Sequence, residues 1–261
     1  MIDLVSNRPS RFVLIIGAMK CGTTSVFSAL KKHPQICGSI KKEPQFLSQD
    51  AEFAKGEGYY FDLFPWGENV HKIAIEASTD YTKPRRATRV VKNIQAMELD
   101  CKFVYLVRDP VARIKSHYLM AIALGWPIKA IAEGIDRGAL ESCRYHHNVQ
   151  PYLEAFGRES LLVLRMEDVF AQPLQNMRLI LNHCGVDAEV DLPLQPLNYS
   201  PVSFMPYLKN QLEYIGSADA ESEIQEMICP SEKQIIELRR ELREDMFRLN
   251  QDFGVDVSDW V

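Results

Sequence analysis

The sequence predicts an α/β fold, a three-layer sandwich with a central parallel sheet. Two patterns carry this. Apolar runs rich in β-branched residues recur at 12–16, 73–75, 103–107 and 161–164 and are continuous rather than alternating, as expected of strands covered on both faces. Stretches with helical spacing separate them, at about 23–32, 84–97, 110–123, 146–156 and 168–183, so right-handed βαβ units follow.

The first strand, Phe12 to Ile16, runs into a glycine-bounded turn and then a helix-like stretch, Val26 to Leu30. A weaker strand candidate lies near Ile36. Asp109-Pro110 opens the helix over 110–123, because proline suits a first helical turn. A last helix begins at Ser231, a suitable N-cap. In it Ile235, Leu238, Leu242, Met246, Leu249 and Phe253 recur at helical spacing with charged residues on the other face, a core-packing stripe. The stretch 185–210, with Pro193, Pro196, Pro201 and Pro206, reads as a loop over the sheet's edge or a ligand. With no repeat, low-complexity tract or clear linker, residues 1–261 read as a single domain.

A chain 46% hydrophobic and 25% charged has the composition of an ordinary globule with a sizeable core. No apolar run approaches the roughly 18 residues of a membrane helix, and Met1 to Arg11 lacks the apolar stretch of a secretory signal. The six cysteines (21, 37, 101, 143, 184 and 229) show no metal-ligand spacing and read as free thiols of a cytoplasmic protein. Residues 1–120 carry 18 Lys+Arg against 12 Asp+Glu, whereas residues 121–261 carry 12 against 23. That distribution suits a small anion held locally. It suits nucleic acid poorly, since backbone binding wants a broad basic face.

The segment Gly17-Ala18-Met19-Lys20-Cys21-Gly22-Thr23-Thr24-Ser25 carries the first chemistry. Strand, glycine turn and hydroxyl-rich helix start are the build of a phosphate cradle: free N–H groups, the helix dipole and one lysine favour an anion. Backbone N–H groups from Cys21 to Thr24 would hold phosphate oxygens, and the hydroxyls of Thr23, Thr24 and Ser25 would add donors. In a nucleotide triphosphatase the lysine directly follows the second glycine. Here that slot holds Thr23, and Lys20 lies before Gly22, which points to a different phosphate ligand and a different reaction.

Two further segments fall where an open parallel sheet binds ligands, at the carboxyl ends of strands. The strand 103–107 runs straight into Arg108, where a triphosphatase often has an acidic residue for magnesium. Arg108 can pair with a second anionic group or simply with Asp109 or a surface carboxylate; Ser116 follows two turns along the helix. The third segment is Lys41-Lys42-Glu43-Pro44-Gln45-Phe46. A carboxylate there can accept a proton from an attacking hydroxyl; the bland alternative is a solvated charge cluster.

Together these segments resemble the sulfotransferases that use 3'-phosphoadenosine 5'-phosphosulfate, most closely the carbohydrate type that includes the heparan sulfate enzymes and bacterial relatives. The resemblance implies a P-loop-like sulfotransferase fold. It assigns Lys20 to the donor's bridging oxygen, and Gly22, Thr23 and Thr24, within the loop that also holds Cys21 and Ser25, to its phosphate. It assigns Arg108 and Ser116, eight residues apart, to the 3'-phosphate. It makes Glu43 the catalytic base with Lys42 beside it. Weaker matches are Tyr60 to Pro65, Glu76 to Tyr81, Pro84-Arg85-Arg86, Leu161 to Asp168 and Asp245 to Trp260, so the likeness spans almost the whole chain. Gln45 stands where many relatives have histidine, and Ala77 where the heparan enzymes have lysine. A late Lys/Arg-Gly loop is not evident between 185 and 210, with Lys209 a weak substitute.

The implied reaction is sulfonate transfer to a hydroxyl of a carbohydrate, lipid or small metabolite, with no metal required. Lys20 stabilises the leaving phosphate, Glu43 takes the acceptor's proton, and Arg108 with Ser116 anchors the far end of the donor. His33, His117, His146 and His147 read as surface or packing residues, because Glu43 sits in the better-matched motif; Tyr145 reads as a packed tyrosine or one facing the ligand. The acidic second half favours a neutral acceptor over a highly sulfated polymer. The rival functions are a small-molecule kinase with an altered phosphate loop and a non-catalytic nucleotide-binding protein.

Overall fold

The run around Phe12 forms strand β1 (Arg11–Gly17), buried from Phe12 onward. In this computed structural model, which describes residues 8–126, 129–196, 224 and 227–260, β1 is followed by helix α1 (Thr23–Leu30), strand β2 (Ile36–Gly38), helices α2 (Asp50–Phe53) and α3 (Gly56–Phe61), and strand β3 (Ile73–Ala77). A 3-10 turn, Thr79–Thr82, leads to α4 (Ala87–Ala96) and β4 (Asp100–Val107). Then come α5 (Pro110–Ala123), α6 (Arg137–Glu141), α7 (Tyr145–Phe156), β5 (Leu161–Arg165), α8 (Met166–Ala171), α9 (Pro173–Cys184) and α10 (Glu232–Phe253).

Among the described residues the strands form one sheet in the order β2-β3-β1-β4-β5, with every neighbouring pair parallel. The predicted α/β three-layer fold is therefore observed, with helices flanking a buried parallel sheet. The chain builds first to one side of β1 and then to the other, so the order reverses between β1 and β4. Loops at the carboxyl ends of these strands border the crevice that such a reversal opens.

The chain divides into two compact units. The first holds the sheet, up to Val107 and again over Asn148–Pro196; the second holds Arg108–His147 together with α10. In the first, an aromatic cluster packs under the sheet: Phe46 stacks on Tyr60 with centroids 4.6 Å apart, and Tyr60 on Phe12 at 5.9 Å. Phe46 thereby ties the loop that follows β2 to the core, since aromatic pairs add to the area they bury. In the second unit, Leu238, Leu242, Met246, Leu249 and Phe253 of α10 are buried, as the helical stripe predicted. Ser231 Oγ accepts from Gln234 N and Gln234 Oε1 accepts from Ser231 N, a capping box that starts the helix where the sequence placed it.

Differences from the sequence expectation have local causes. The stretch 168–183 is two helices, because Pro173 lacks an N–H and starts α9 afresh after Gln172 leaves the helical region (φ −130°, ψ 64°). The helices α2, α3 and α6 are too short to show a periodic pattern. Strand β3 runs past Ile75 through Glu76 to Ala77, all of it buried; a charged residue had ended the apolar run early. Residues 197–210 of the predicted proline-rich loop, with Pro201, Pro206 and Lys209, lie outside the described residues. All six cysteines are free thiols. No helix among the described residues is long and apolar enough to cross a membrane.

Candidate active site

The cradle stands at the end of β1. Ala18 N donates to Leu106 O of β4 (2.7 Å) and Cys21 N to Ala18 O (3.2 Å), so the loop curls back over the strand ends. Gly22 takes the left-handed conformation (φ 82°) as the N-cap of α1, and no side chain caps the helix. Cys21 N, expected to hold phosphate, is instead committed to Ala18 O, and Ser25 N donates to Gly22 O (3.1 Å); the N–H groups of Gly22, Thr23 and Thr24 and the positive end of the helix dipole remain to meet an anion. Thr23 and Ser25 are buried, while Lys20 and Thr24 are half-buried. This donor set fits a phosphate or sulfate ester at the helix start.

Two glycines are required here by contact as well as by conformation. A Cβ on Gly22 would lie 2.8 Å from the Phe170 ring, and one on Gly17 (φ 150°) would lie 2.2 Å from Thr82 Oγ1. Thr82 is itself committed, its hydroxyl donating to Ile16 O at 2.9 Å. We expect Gly17→Ala to destabilise the fold by about 3 kcal/mol or more, from overpacking plus a glycine-only backbone conformation. Denaturant titration measures it. Adding Thr82→Ala should return only the part due to the clash.

Glu43 is brought to the neighbouring strand end. Glu43 N donates to Ala77 O (2.9 Å) at the end of β3, and Ser78 N donates to Ile15 O of β1 (3.1 Å). The cradle and the Glu43 loop thus share the carboxyl ends of two paired strands. One carboxylate oxygen meets Lys42 Nζ at 2.5 Å. The other accepts from Thr79 N (2.8 Å) and Thr79 Oγ1 (3.3 Å). Thr79 lies in the Glu76–Tyr81 segment that the sequence matched without giving it a role; its part follows only from the hydrogen bonds that join the end of β3 to the loop after β2.

The backbone is strained at these same positions. Lys20 (φ 73°), Glu43 (φ 56°) and Gln45 (φ 56°) are left-handed without being glycine, each at about 1–2 kcal/mol. Such strain persists where surrounding contacts over-determine it, commonly at functional sites. Here those contacts include Gln45 N donating to Ser78 Oγ (3.2 Å) and Leu47 N donating to Tyr81 Oη (3.2 Å).

Two acids behind this loop contrast. Burial pushes the Asp80 carboxyl up, but the Ser48 hydroxyl, Lys83 and Arg86 outweigh it and hold it below its ordinary value; Ser48 Oγ lies at 2.7 Å and Lys83 Nζ at 2.9 Å. Glu76, wholly buried in β3, has no such cation, and burial pushes its carboxyl up to about 7. The hydroxyls of Tyr81, Ser78 and Tyr60 favour its charged form, and the Glu43 charge opposes it. None of the three hydroxyls reaches it in strict hydrogen-bond geometry. The folded carboxyl thus binds its proton more tightly than the unfolded one, whose ordinary value is 4.5. Its stabilising contribution is complete below that value and is lost as pH rises through about 7, on the order of 3 kcal/mol at most. Glu76→Gln should flatten this part of the dependence of denaturation midpoint on pH.

Arg108 and Ser116 belong to the second unit, where both are half-buried. Asp109 caps α5, its carboxylate accepting from Ala112 N at 2.7 Å, with Pro110 in the first turn. Tyr145 Oη donates to Arg108 O (2.8 Å), so the tyrosine holds the Arg108 backbone. The start of α7 is in turn held by Asp245 of α10, which accepts from His146 N (3.0 Å) and His147 N (2.9 Å). His146 Nε2 lies 2.7 Å from Asp252. In the first unit His33 is buried, with Gln35 N donating to its Nδ1 at 3.0 Å. Of the sequence-derived residues, the cradle, Lys42 and Glu43 come together in the first unit; in the second, Arg108 immediately precedes the Asp109 cap of α5 and Ser116 lies midway along that helix. Thr79, Ser78, Tyr81 and Glu76 are the structural additions.

The chain is similar to known proteins over most of its length. A family model described as "Sulfotransferase domain" matches residues 10–223. Heparan sulfate glucosamine 3-O-sulfotransferase 3B1 of Mus musculus is 28% identical over 184 residues, 66% of this chain and 45% of the relative. Membrane-associated sulfotransferase kil1 of Dictyostelium discoideum is 34% identical over 113 residues, 42% of this chain and 22% of the relative. The chain thus spans less than half the length of these curated relatives. The solved sulfotransferase from Alicyclobacillus acidocaldarius shares the fold, with a TM-score of 0.70 at 22% identity, covering 97% of this chain and 98% of that one.

Proposed function

The chain belongs to the sulfotransferase domain family, and on that premise we propose that it moves a sulfonate group from 3'-phosphoadenosine 5'-phosphosulfate to a hydroxyl of a carbohydrate or small-molecule acceptor. The observation that carries this reading is the shared position of the uncapped, lysine-bearing cradle and the Glu43 loop on the paired ends of β1 and β3. An anion-stabilising device and a proton acceptor are what transfer to a hydroxyl requires.

The donor, when bound, supplies an activated sulfonate. Lys20 and the first-turn N–H groups of α1 stabilise negative charge on the phosphate side. The hydroxyls of Thr23, Thr24 and Ser25, with Cys21 and Gly22 in the same loop, complete the cradle. Glu43 accepts the proton of the acceptor hydroxyl. Lys42 and Thr79 hold its carboxylate, one on each oxygen. Arg108 and Ser116 hold the 3'-phosphate; the fork of an arginine suits that group. A sugar hydroxyl as acceptor is in keeping with the relative named for heparan sulfate glucosamine.

Calorimetric titration with adenosine 3',5'-bisphosphate, ATP and AMP tests the donor class directly. We expect the bisphosphate to bind with clear preference and without magnesium. Preferential uptake of magnesium–ATP would favour a kinase and overturn the reading. Bisphosphate binding with no transfer to any acceptor in a panel of sugars, phenols and lipids would leave a nucleotide-binding protein.

A further inference from the structure

Glu76 is a carboxyl that the proposed reaction does not use. It lies wholly inside β3, two residues before Ser78 and so on the same side of the strand. The titratable and hydroxyl groups that act on it are Tyr60 from α3, Tyr81 from the 3-10 turn, Ser78 beyond β3, Cys101 from β4, Tyr152 from α7 and the Glu43 carboxylate from the loop after β2, while β1 sets the apolar Leu14 against it. Two of these, Ser78 and Tyr81, accept the backbone N–H groups of Gln45 and Leu47 through their side-chain oxygens.

A hydroxyl that accepts an N–H through a lone pair must send its own proton elsewhere. The buried carboxyl beside both hydroxyls is Glu76, whose two oxygens are left outside strict hydrogen-bond geometry and which both hydroxyls nonetheless influence. As a carboxylate it offers acceptor sites only, and both protons can turn toward it. Protonated, one of its oxygens becomes a donor and competes for the lone pairs that hold the loop. We propose that Glu76 is a positioning residue: its carboxylate orients the Ser78 and Tyr81 hydroxyls so that they pin the Glu43–Leu47 segment, and it thereby sets the aim of the Glu43 carboxylate. The site then carries a buried charge that weakens the fold as a whole while tightening this loop. Stability is commonly traded for function in this way at active sites.

The inference rests on Glu43 being the base, but its decisive readout does not. Amide hydrogen exchange of Gln45 and Leu47, corrected for intrinsic rates, is followed in wild type and Glu76→Gln as pH is raised through about 7. Positioning predicts that protection of these two amides rises with pH in wild type and is flat in the variant. A carboxyl with only a packing role would loosen its surroundings as it ionises, so protection would fall. Falling or unchanged protection in wild type overturns the proposal, and so does a rise that persists in Glu76→Gln. Should the variant not fold, the wild-type profile alone decides. With radiolabelled donor and de-sulfated heparan oligosaccharides as acceptor probe, kcat of Glu76→Gln above that pH is expected to fall roughly tenfold to a hundredfold with donor KM unchanged, the size of effect that small misplacement produces. Retained turnover in Glu43→Gln would refute the base assignment and leave the exchange result to stand on its own.

Discussion

Lys20→Ala should lower transfer by about 10²–10³-fold in kcat, the loss seen when one preorganised charge-stabilising donor is removed. The same change should weaken adenosine 3',5'-bisphosphate about 10–100-fold, since a hydrogen bond to a charged group is worth about 1.5–3 kcal/mol. Alanine is the informative replacement because position 20 is left-handed (φ 73°). Glycine there would relax the backbone and confound loss of the ammonium with relief of strain. Lys20→Arg should not restore rate, because a planar fork does not reproduce a compact point charge. Radiolabelled sulfonate transfer and calorimetry measure the two effects, and an unchanged denaturation midpoint shows that the loop survives. Near-normal turnover and binding in the alanine variant would remove the cradle from the mechanism.

Glu43→Gln should separate chemistry from binding. The amide keeps an oxygen for Thr79 N and Thr79 Oγ1, so the loop stays in place. It cannot take a proton and no longer pairs with Lys42 as an ion. Turnover should fall by about 10²–10⁴-fold, the usual contribution of a positioned base, while bisphosphate affinity stays near that of wild type. Single-turnover transfer and calorimetry on one preparation make the comparison. A variant that keeps both turnover and binding would send the search for a base elsewhere, beginning with the histidines. Lys42→Ala should fall between wild type and Glu43→Gln, because it removes only one of the groups that hold the carboxylate.

These effects follow from residues that differ in how far their parts could be read in the chain. The cradle is contiguous: its strand, its two glycines, its lysine and its hydroxyls lie within Arg11–Ser25. Periodicity and backbone stereochemistry act over that range, so its conformation was legible. The role of Glu43 came from a resemblance, since a carboxylate among lysines is by itself an ordinary surface feature. Its anchor is Thr79, 36 residues away, and no local pattern points from one to the other. Glu76 was concealed for a related reason: its charge ended the apolar run at Ile75, although the strand continues through it. The break at Gln172 does not show in the apolar spacing, which is helical on both sides, although Pro173 marks it.

The chain's own order of residues determined the main strands and the longer helices, where α5 and α10 begin, and that a glycine-bounded turn leading into a helix without a side-chain cap follows β1. Those outcomes depend on dihedral preference, 3.6- or two-residue spacing and N-cap hydrogen bonds, each satisfied within a few positions. Tertiary structure alone decided that β3 lies beside β1, that Ser78, Thr79 and Tyr81 meet the Glu43 loop, and that Glu76 is sealed beneath it. Contacts of that kind join groups distant along the chain and exist only once the sheet has closed water out. Burial and hydrogen-bond partners, unlike local propensity, are properties of the assembled layers.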